Sequence, residues 1–320
     1  MVPASPVEQL VARGLLACPV CLARLVLEGP GLACAGCGRR FPVRAGIPRL
    51  LDDSLPGIAA KRHEIAGWVE LARSEGWYEP DDEVDAALPF VNRDLGWDDR
   101  NWGANEHSFS LLLERHVQPG LRVLEVGAAK CWGAQHLVPR DCEYVAADIL
   151  DDPNVGLGRG EFYERRVGRF ARIQADGEHL PFVDGAFDLT YCVATLHHAL
   201  DLGRMVRELA RVTRRGGTVA ALNEGTRALA RSGTNPEQEP ERRLGINEHV
   251  HSLPAYLWAF ARAGLVVRRV EQAEGYGDLR RRRIAGALLR LPGAGRSAST
   301  LFAQCCHGYS GVSLYARRLV

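Results

Sequence analysis

Arg122-Val-Leu-Glu-Val-Gly-Ala-Ala-Lys-Cys-Trp-Gly133 runs an apolar, β-branched stretch into an acid and then a turn of small residues. That order reads as a strand feeding a tight loop that a ligand can approach closely. Further on, Tyr144-Val-Ala-Ala-Asp148 repeats the plan, with an acid at the carboxyl end of a strand. Such an acid can hold both hydroxyls of a ribose while the first loop lies against the rest of a nucleoside. A pyrophosphate would want Gly-x-Gly-x-x-Gly, whose amides and helix start cradle the anion. Only Gly127 and Gly133 are present here; Ala129 and Cys131 stand where further glycines would be. Alanine at 129 tolerates an ordinary backbone but brings a methyl group towards the ligand. Glu125 would repel a pyrophosphate and suits a cation. S-adenosylmethionine, with a sulfonium, an ammonium and no phosphate, fits that charge.

A second constellation is Cys18-Pro-Val-Cys21 with Cys34-Ala-Gly-Cys37. Two Cys-x-x-Cys knuckles at this separation can close a tetrahedron of thiolates round zinc. Gly36 and Gly38 allow the tight turn of the second knuckle. So small a module buries too little apolar surface to fold alone, and metal would supply the missing stability. Cys131, Cys142, Cys192, Cys305 and Cys306 lack such pairing and read as small apolar residues.

From Glu125 onward the chain resembles the class I S-adenosylmethionine-dependent methyltransferases, of the type 11-like branch, whose first motif is Glu-x-Gly-x-Gly-x-Gly. Later landmarks follow in the same order. Gln174-Ala-Asp176-Gly-Glu-His-Leu-Pro-Phe182 looks like the third motif, where an acid takes the adenine amino group. Asp184-Gly185 is a turn, and Ala186 to Ala194 reads as the fourth strand. Thr195-Leu-His-His198 comes next, followed by a helix from Leu202 to Val212. Arg215-Gly-Gly217 breaks before a fifth strand from Thr218 to Leu222. The resemblance implies an α/β fold: a Rossmann-like seven-stranded methyltransferase sheet with helices on both faces. It also implies that Glu125, Gly127, Ala129, Asp148, Ile149, Asp176, Gly177 and Val193 surround the cofactor. Leu16 to Leu51, closing on Phe41-Pro-Val-Arg-Ala-Gly-Ile-Pro48, resembles the zinc ribbons of methyltransferase-activator proteins. A small zinc ribbon therefore precedes the sheet, with Cys18, Cys21, Cys34 and Cys37 as ligands, and S-adenosyl-L-methionine and Zn(2+) are the expected cofactors.

Methyl transfer is an in-line displacement in which positioning does much of the work. An oxygen acceptor must also lose a proton, and histidine is the suitable base near neutral pH. His197 and His198 follow the fourth strand, whose loop faces the transferable methyl in this fold; His249 and His251 follow the fifth. His197, His198 and His249 are the catalytic candidates, and each has a structural role as its alternative. The expected reaction is methylation of a small-molecule or sugar-containing acceptor at oxygen. An RNA base methyltransferase using the ribbon to hold RNA, or a non-catalytic scaffold, are the alternatives.

Three segments position this chemistry: a zinc ribbon at 14–52, a helical linker or lid at 53–116, and the methyltransferase domain at 117–320. Within the linker, Glu64 to Ala72 has helical spacing of apolar residues, and Glu79 to Asp85 is an acidic loop. Asn101 to His107 precedes a helix from Ser108 to His116, and Trp102 or His107 is expected to lid the cofactor. Asn223 to Pro254 is a polar connection containing Asn235-Pro236, before a helix from Tyr256 to Ala263 and strands at Leu265 to Val270 and Gly311 to Ala316. The run Arg280 to Arg283 lies in an insertion between them; a solvated helix face, an anion contact and membrane-surface docking are its three readings.

The 320 residues carry a net charge of +1, so no global field draws nucleic acid. The ribbon offers only Arg24, Arg39, Arg40, Arg44 and Arg49 as cations, with Phe41 alone for stacking. No apolar run reaches membrane-spanning length, and Met1-Val-Pro-Ala-Ser-Pro lacks a signal-like segment. A cytoplasmic protein is the expectation, and the sequence does not specify its oligomeric state.

Overall fold

The computed structural model describes residues 4–230, 238–306 and 310–319; Asn235-Pro236 lie outside them. A short helix, α1 (Pro6–Ala12), is capped by Ser5, whose hydroxyl accepts the Glu8 N–H. Four antiparallel strands follow in sequence order: β1 (Leu25–Glu28), β2 (Gly31–Cys34), β3 (Arg40–Arg44) and β4 (Ile47–Pro48). The last hairpin turns on Ala45 and Gly46, both left-handed, as a two-residue hairpin loop requires.

Four helices lead from the ribbon to the large sheet: α2 (Ile58–Ser74), α3 (Asp82–Ala87), α4 (Val91–Leu95) and α5 (Arg100–His116). The last begins at Arg100 rather than Ser108, because Asp99 accepts the Trp102 N–H at 2.8 Å and starts the helix there. Asn101 to His107 is therefore helix, not a loop ahead of one.

The large sheet is built from β5 (Arg122–Val126), β6 (Glu143–Asp148), β7 (Ala171–Gln174), β8 (Phe187–Val193), β9 (Thr213–Thr226), β10 (Leu265–Gln272) and β11 (Ser310–Arg318). Between them run α6 (Ala134–Leu137), α7 (Gly160–Val167), α8 (Leu202–Val212), α9 (Glu239–Arg243), α10 (Leu253–Arg262), α11 (Gly277–Arg281), α12 (Arg283–Leu288) and α13 (Gly295–Cys306). Strand order is β10-β11-β9-β8-β5-β6-β7, with only β11 antiparallel to its neighbours. This is the expected seven-stranded α/β sheet. Successive residues serve opposite faces: Val145 and Ala147 join the core under α8 and α10, Tyr144 and Ala146 the core under α5 and α7. Because both faces are covered, the parallel strands read as nearly continuous apolar runs.

Strand β9 begins at Thr213, not Thr218. The Arg215-Gly-Gly217 stretch is a bulge within it: pairing jumps from Phe187–Thr213 to Leu189–Thr218, and Gly216 is left-handed at φ +71°.

The ribbon is docked on the open edge at β7. Arg49 pairs in parallel with Gln174, whose carbonyl accepts the Leu50 N–H at 2.9 Å. The Ala17 N–H donates to the Pro181 carbonyl at 2.9 Å and the Val183 N–H to the Leu15 carbonyl at 3.0 Å. Leu16, Leu50 and Phe182 are buried in one core with Ile173 and Val145. Unpaired groups of an edge strand are thereby satisfied and shielded, and the ribbon gains a hydrophobic core that it could not build alone.

Candidate active site

Open α/β sheets bind ligands beyond the carboxyl ends of their strands, where the strand order reverses. Here the chain runs outward from β5 to β7, then returns to β8 on the other side of β5. At that point lies a cavity of about 690 Å³. Its wall includes Gly127, Ala129, Asp148, Ile149, Asp176, Gly177, Val193 and His198, joined by Lys61, Glu64 and Trp68 from α2 and by Asn101 and Trp102 from α5.

The loop after β5 is held in a glycine-like shape without the expected glycines. Gly127 is left-handed, and a Cβ there would collide with Thr195 Oγ1. Ala129 (φ +42°) and Cys131 (φ +68°) are left-handed too, contrary to the ordinary backbone expected for alanine. Each costs about 1 kcal/mol. The loop is pinned against that cost: the Ala129 N–H donates to Asp148 Oδ2 at 2.7 Å, and the Cys131 N–H to the Ala128 carbonyl at 2.7 Å. Asp148 also accepts the Leu150 N–H at 2.8 Å, and burial raises its pKa. Asp176 accepts the Glu178 N–H and meets His179 Nδ1, each at 3.0 Å. Burial pushes its carboxyl up, but His179 and Lys61 outweigh that and leave it below its ordinary value.

Glu125 does not line the cavity. It lies beneath the loop, 1 % exposed, accepting the Tyr144 hydroxyl hydrogen bond and packed so closely on Gly133 that a Cβ there would strike it. Its side chain leaves β5 beside Tyr144 and Tyr191, under the loop, so the carboxylate trio expected from the sequence is a pair, Asp148 and Asp176, with Glu125 as support. Burial raises the Glu125 pKa from an ordinary 4.5 to about 7. The folded state then binds the proton more tightly than the unfolded one, so this residue's stabilisation is complete below pH 4.5 and is lost as pH rises to about 7. Glu125→Gln should therefore match the wild type near pH 4.5 in denaturant titrations and exceed it by up to about 3 kcal/mol above pH 7. An equal pH dependence in the two proteins would contradict the buried acid.

The three histidines separate. His198 lines the cavity, its Nδ1–H donating to the Asn247 carbonyl at 2.6 Å and its ring edge-on to Trp68. Burial, with His197 and Lys61 nearby, holds its pKa well below the ordinary 6.5. His197 lies behind it, Nδ1 at 3.0 Å from Glu224 Oε2 and Nε2 at 3.8 Å from Glu248. Glu224 also accepts the Thr195 and Leu196 N–H groups at 3.0 Å, so this pair shapes the loop after β8. His249 is exposed and outside the cavity wall, tied by its N–H to the His197 carbonyl. A place after the fifth strand does not bring it to the reacting side. Of the two lid candidates, Trp102 lines the cavity, while the His107 ring lies against Gly275.

Lys61 and Glu64 were not foreseen. Lys61 is buried, 3.6 Å from both Glu64 and Glu178, and donates to the His198 carbonyl at 3.0 Å. A signal was present: the chain has two lysines among 40 basic residues, Lys61 and Lys130, and both line this cavity.

In the ribbon, Cys18 and Cys37 Sγ lie 3.8 Å apart and Cys21 and Cys34 Sγ 3.4 Å apart. All four sulfurs fall within 4.8 Å of one another. Tetrahedral Zn–S bonds of about 2.3 Å put sulfurs about 3.8 Å apart, so the set is sized for that ion. The Gly36 and Cys37 N–H groups point at Cys34 Sγ, each at 3.4 Å. Cys131, Cys142 and Cys192 are buried free thiols; Cys305 is partly exposed and Cys306 exposed. Arg280 to Arg283 are exposed and away from the cavity.

Residues 124–221 match the family described as the methyltransferase domain. The chain is 29 % identical to a demethylmenaquinone methyltransferase of Mycolicibacterium gilvum over 56 % of its own length and 78 % of that protein. It is 26 % identical to the 27-O-demethylrifamycin SV methyltransferase of Amycolatopsis mediterranei, over 56 % of this chain and 68 % of that one. The chain is an S-adenosylmethionine-dependent methyltransferase. In fold, the methyltransferase is similar to the geranyl diphosphate C-methyltransferase from Streptomyces coelicolor, solved with S-adenosyl-L-homocysteine (TM-score 0.53, 14 % identity, 84 % of this chain and 100 % of that one). Among the described residues of this methyltransferase, no helix is long and apolar enough to cross a membrane.

Proposed function

We propose that the enzyme methylates a hydroxyl of a small molecule, with Asp148 on the cofactor ribose, Asp176 on its adenine and His198 as the base, and that Cys18, Cys21, Cys34 and Cys37 hold a structural zinc. The observation that carries this reading is the state of His198. With Nδ1–H spent on Asn247, Nε2 is the unprotonated nitrogen, on a residue that shares a cavity wall with Asp148 and Asp176. His197 is committed to Glu224 and supports the loop instead.

The charge of the wall favours this acceptor over RNA. Glu64, Glu75, Asp85, Asp148 and Asp176 outnumber Lys61 and Lys130, which suits a sulfonium and repels phosphates. Small-molecule acceptors also stand in the names of both curated relatives. Calorimetry with S-adenosyl-L-homocysteine tests the cofactor side. The wild type should bind, and Asp148→Ala should lose about 100-fold in affinity, as for the removal of charge-assisted hydrogen bonds to two hydroxyls. Equal binding by the variant would remove Asp148 from this role.

A further inference from the structure

Five of the six tryptophans in the chain, Trp68, Trp77, Trp97, Trp102 and Trp132, line this one cavity, although their elements are far apart in sequence. Several are fixed by neighbours rather than free to collapse inward. Trp132 stands edge-on to Phe109 with ring centres 4.9 Å apart, Trp68 edge-on to His198 at 5.5 Å, and Trp77 donates its indole N–H to Glu75 at 2.9 Å. Trp77 and Trp97 nevertheless stay 37 % and 42 % exposed, leaving large apolar faces in water until a ligand covers them. One adenine ring cannot occupy five indoles. At about 690 Å³ the cavity also lies high in the range of about 300–1,000 Å³ that holds a single drug-sized ligand, which leaves room for a second molecule.

The charged residues narrow the class further. Both lysines of the wall are spent on protein carboxylates: Lys130 pairs with Asp85 at 3.1 Å and Lys61 sits between Glu64 and Glu178. Neither is left for an anionic acceptor. A cationic acceptor would meet the sulfonium of the cofactor at close range.

We infer that the acceptor is an uncharged, planar molecule of at least two fused aromatic rings, stacked among these indoles with its hydroxyl towards His198. This rests on the transferase reading above. Three probes of one skeleton test it by calorimetry on the full chain saturated with S-adenosyl-L-homocysteine: β-naphthol, its saturated analogue decalol, and β-naphthoate. β-Naphthol should bind about tenfold or more tightly than either of the others, from stacking against the first and charge against the second. Trp68→Ala and Trp102→Ala should each erase most of the preference over decalol, whereas Trp258→Ala, at the exposed tryptophan outside the cavity, should leave it intact. Equal affinity for naphthol and decalol, or tighter binding of naphthoate, would overturn the inference while cofactor binding still upheld the transferase. Failure of S-adenosyl-L-homocysteine itself to bind would instead bring down the reading beneath it.

Discussion

Purified protein incubated with a strong chelator is expected to release stoichiometric zinc and to unfold at least about 10 °C lower than before. The four sulfurs are spaced for the ion, and Cys18 and Cys34 are buried. Without the proposed metal, only weak thiol–thiol contacts would be left to draw these sulfurs together. Structural zinc contributes about 10–16 kcal/mol in isolated finger peptides. The fraction felt here is smaller, because Leu16, Leu50 and Phe41 give the ribbon a share of the main core. A loss of about 7 kcal/mol would lower the melting point by roughly 10 °C in a chain of this size. Cys34→Ser should reproduce the effect without chelator, since Cys34 Sγ also accepts the Gly36 and Cys37 N–H groups. Metal analysis showing no zinc, or a melting curve indifferent to the chelator, would end the proposal.

His198→Ala is expected to lower kcat by about 100-fold or more, the usual contribution of a positioned base, while leaving affinity for S-adenosyl-L-homocysteine within a few-fold of wild type. The pH profile of the wild type carries a sharper signature. Burial keeps the folded-state pKa of His198 well below 6.5, so the imidazole is already neutral and competent at pH 7. Activity should therefore stay level from neutral to mildly alkaline pH and fall only as pH drops through that lowered pKa. A base with an ordinary pKa would show its half-maximal rate near pH 6.5 instead. His249→Ala, at the exposed ring outside the cavity, should change kcat little. If His198→Ala keeps kcat within threefold, the proton leaves by another route and the acceptor atom must be reconsidered.

The sheet was readable because its strands obey simple rules: apolar runs of the right length, acids at their carboxyl ends, glycines at their turns. Asp148 could be brought to the cavity by the same rules, since it is the last residue of β6, and Asp176 because it lies only two residues beyond the end of β7. Glu125 could not. Which face of β5 its side chain takes depends on Tyr144 and Tyr191 from neighbouring strands, and a local motif does not contain that pairing. Lys61 and Glu64 escaped for a related reason. On α2 they share a face with Trp68 and Leu71, where a rule expecting polar residues outside assigns them to solvent. They are buried because each meets an opposite charge or the loop after β8. The start of β9 was misplaced because two glycines signal a break as readily as a bulge.

Gln174 is where the ribbon and the cavity wall converge. Its carbonyl takes the Leu50 N–H, and its side-chain amide donates to the Ile149 carbonyl at 2.9 Å, one residue past Asp148. Arg49, the adjoining ribbon residue, forms an ion pair with Asp151 at 2.6 Å. The small module thus clamps, from outside, the floor of the cavity beside Asp148. Were it a separate polypeptide, that clamp would come and go with its concentration; as a tethered segment it is held at constant, high local abundance. The grip on the pocket floor is consequently set by the ribbon's own folding, with no assembly step in between.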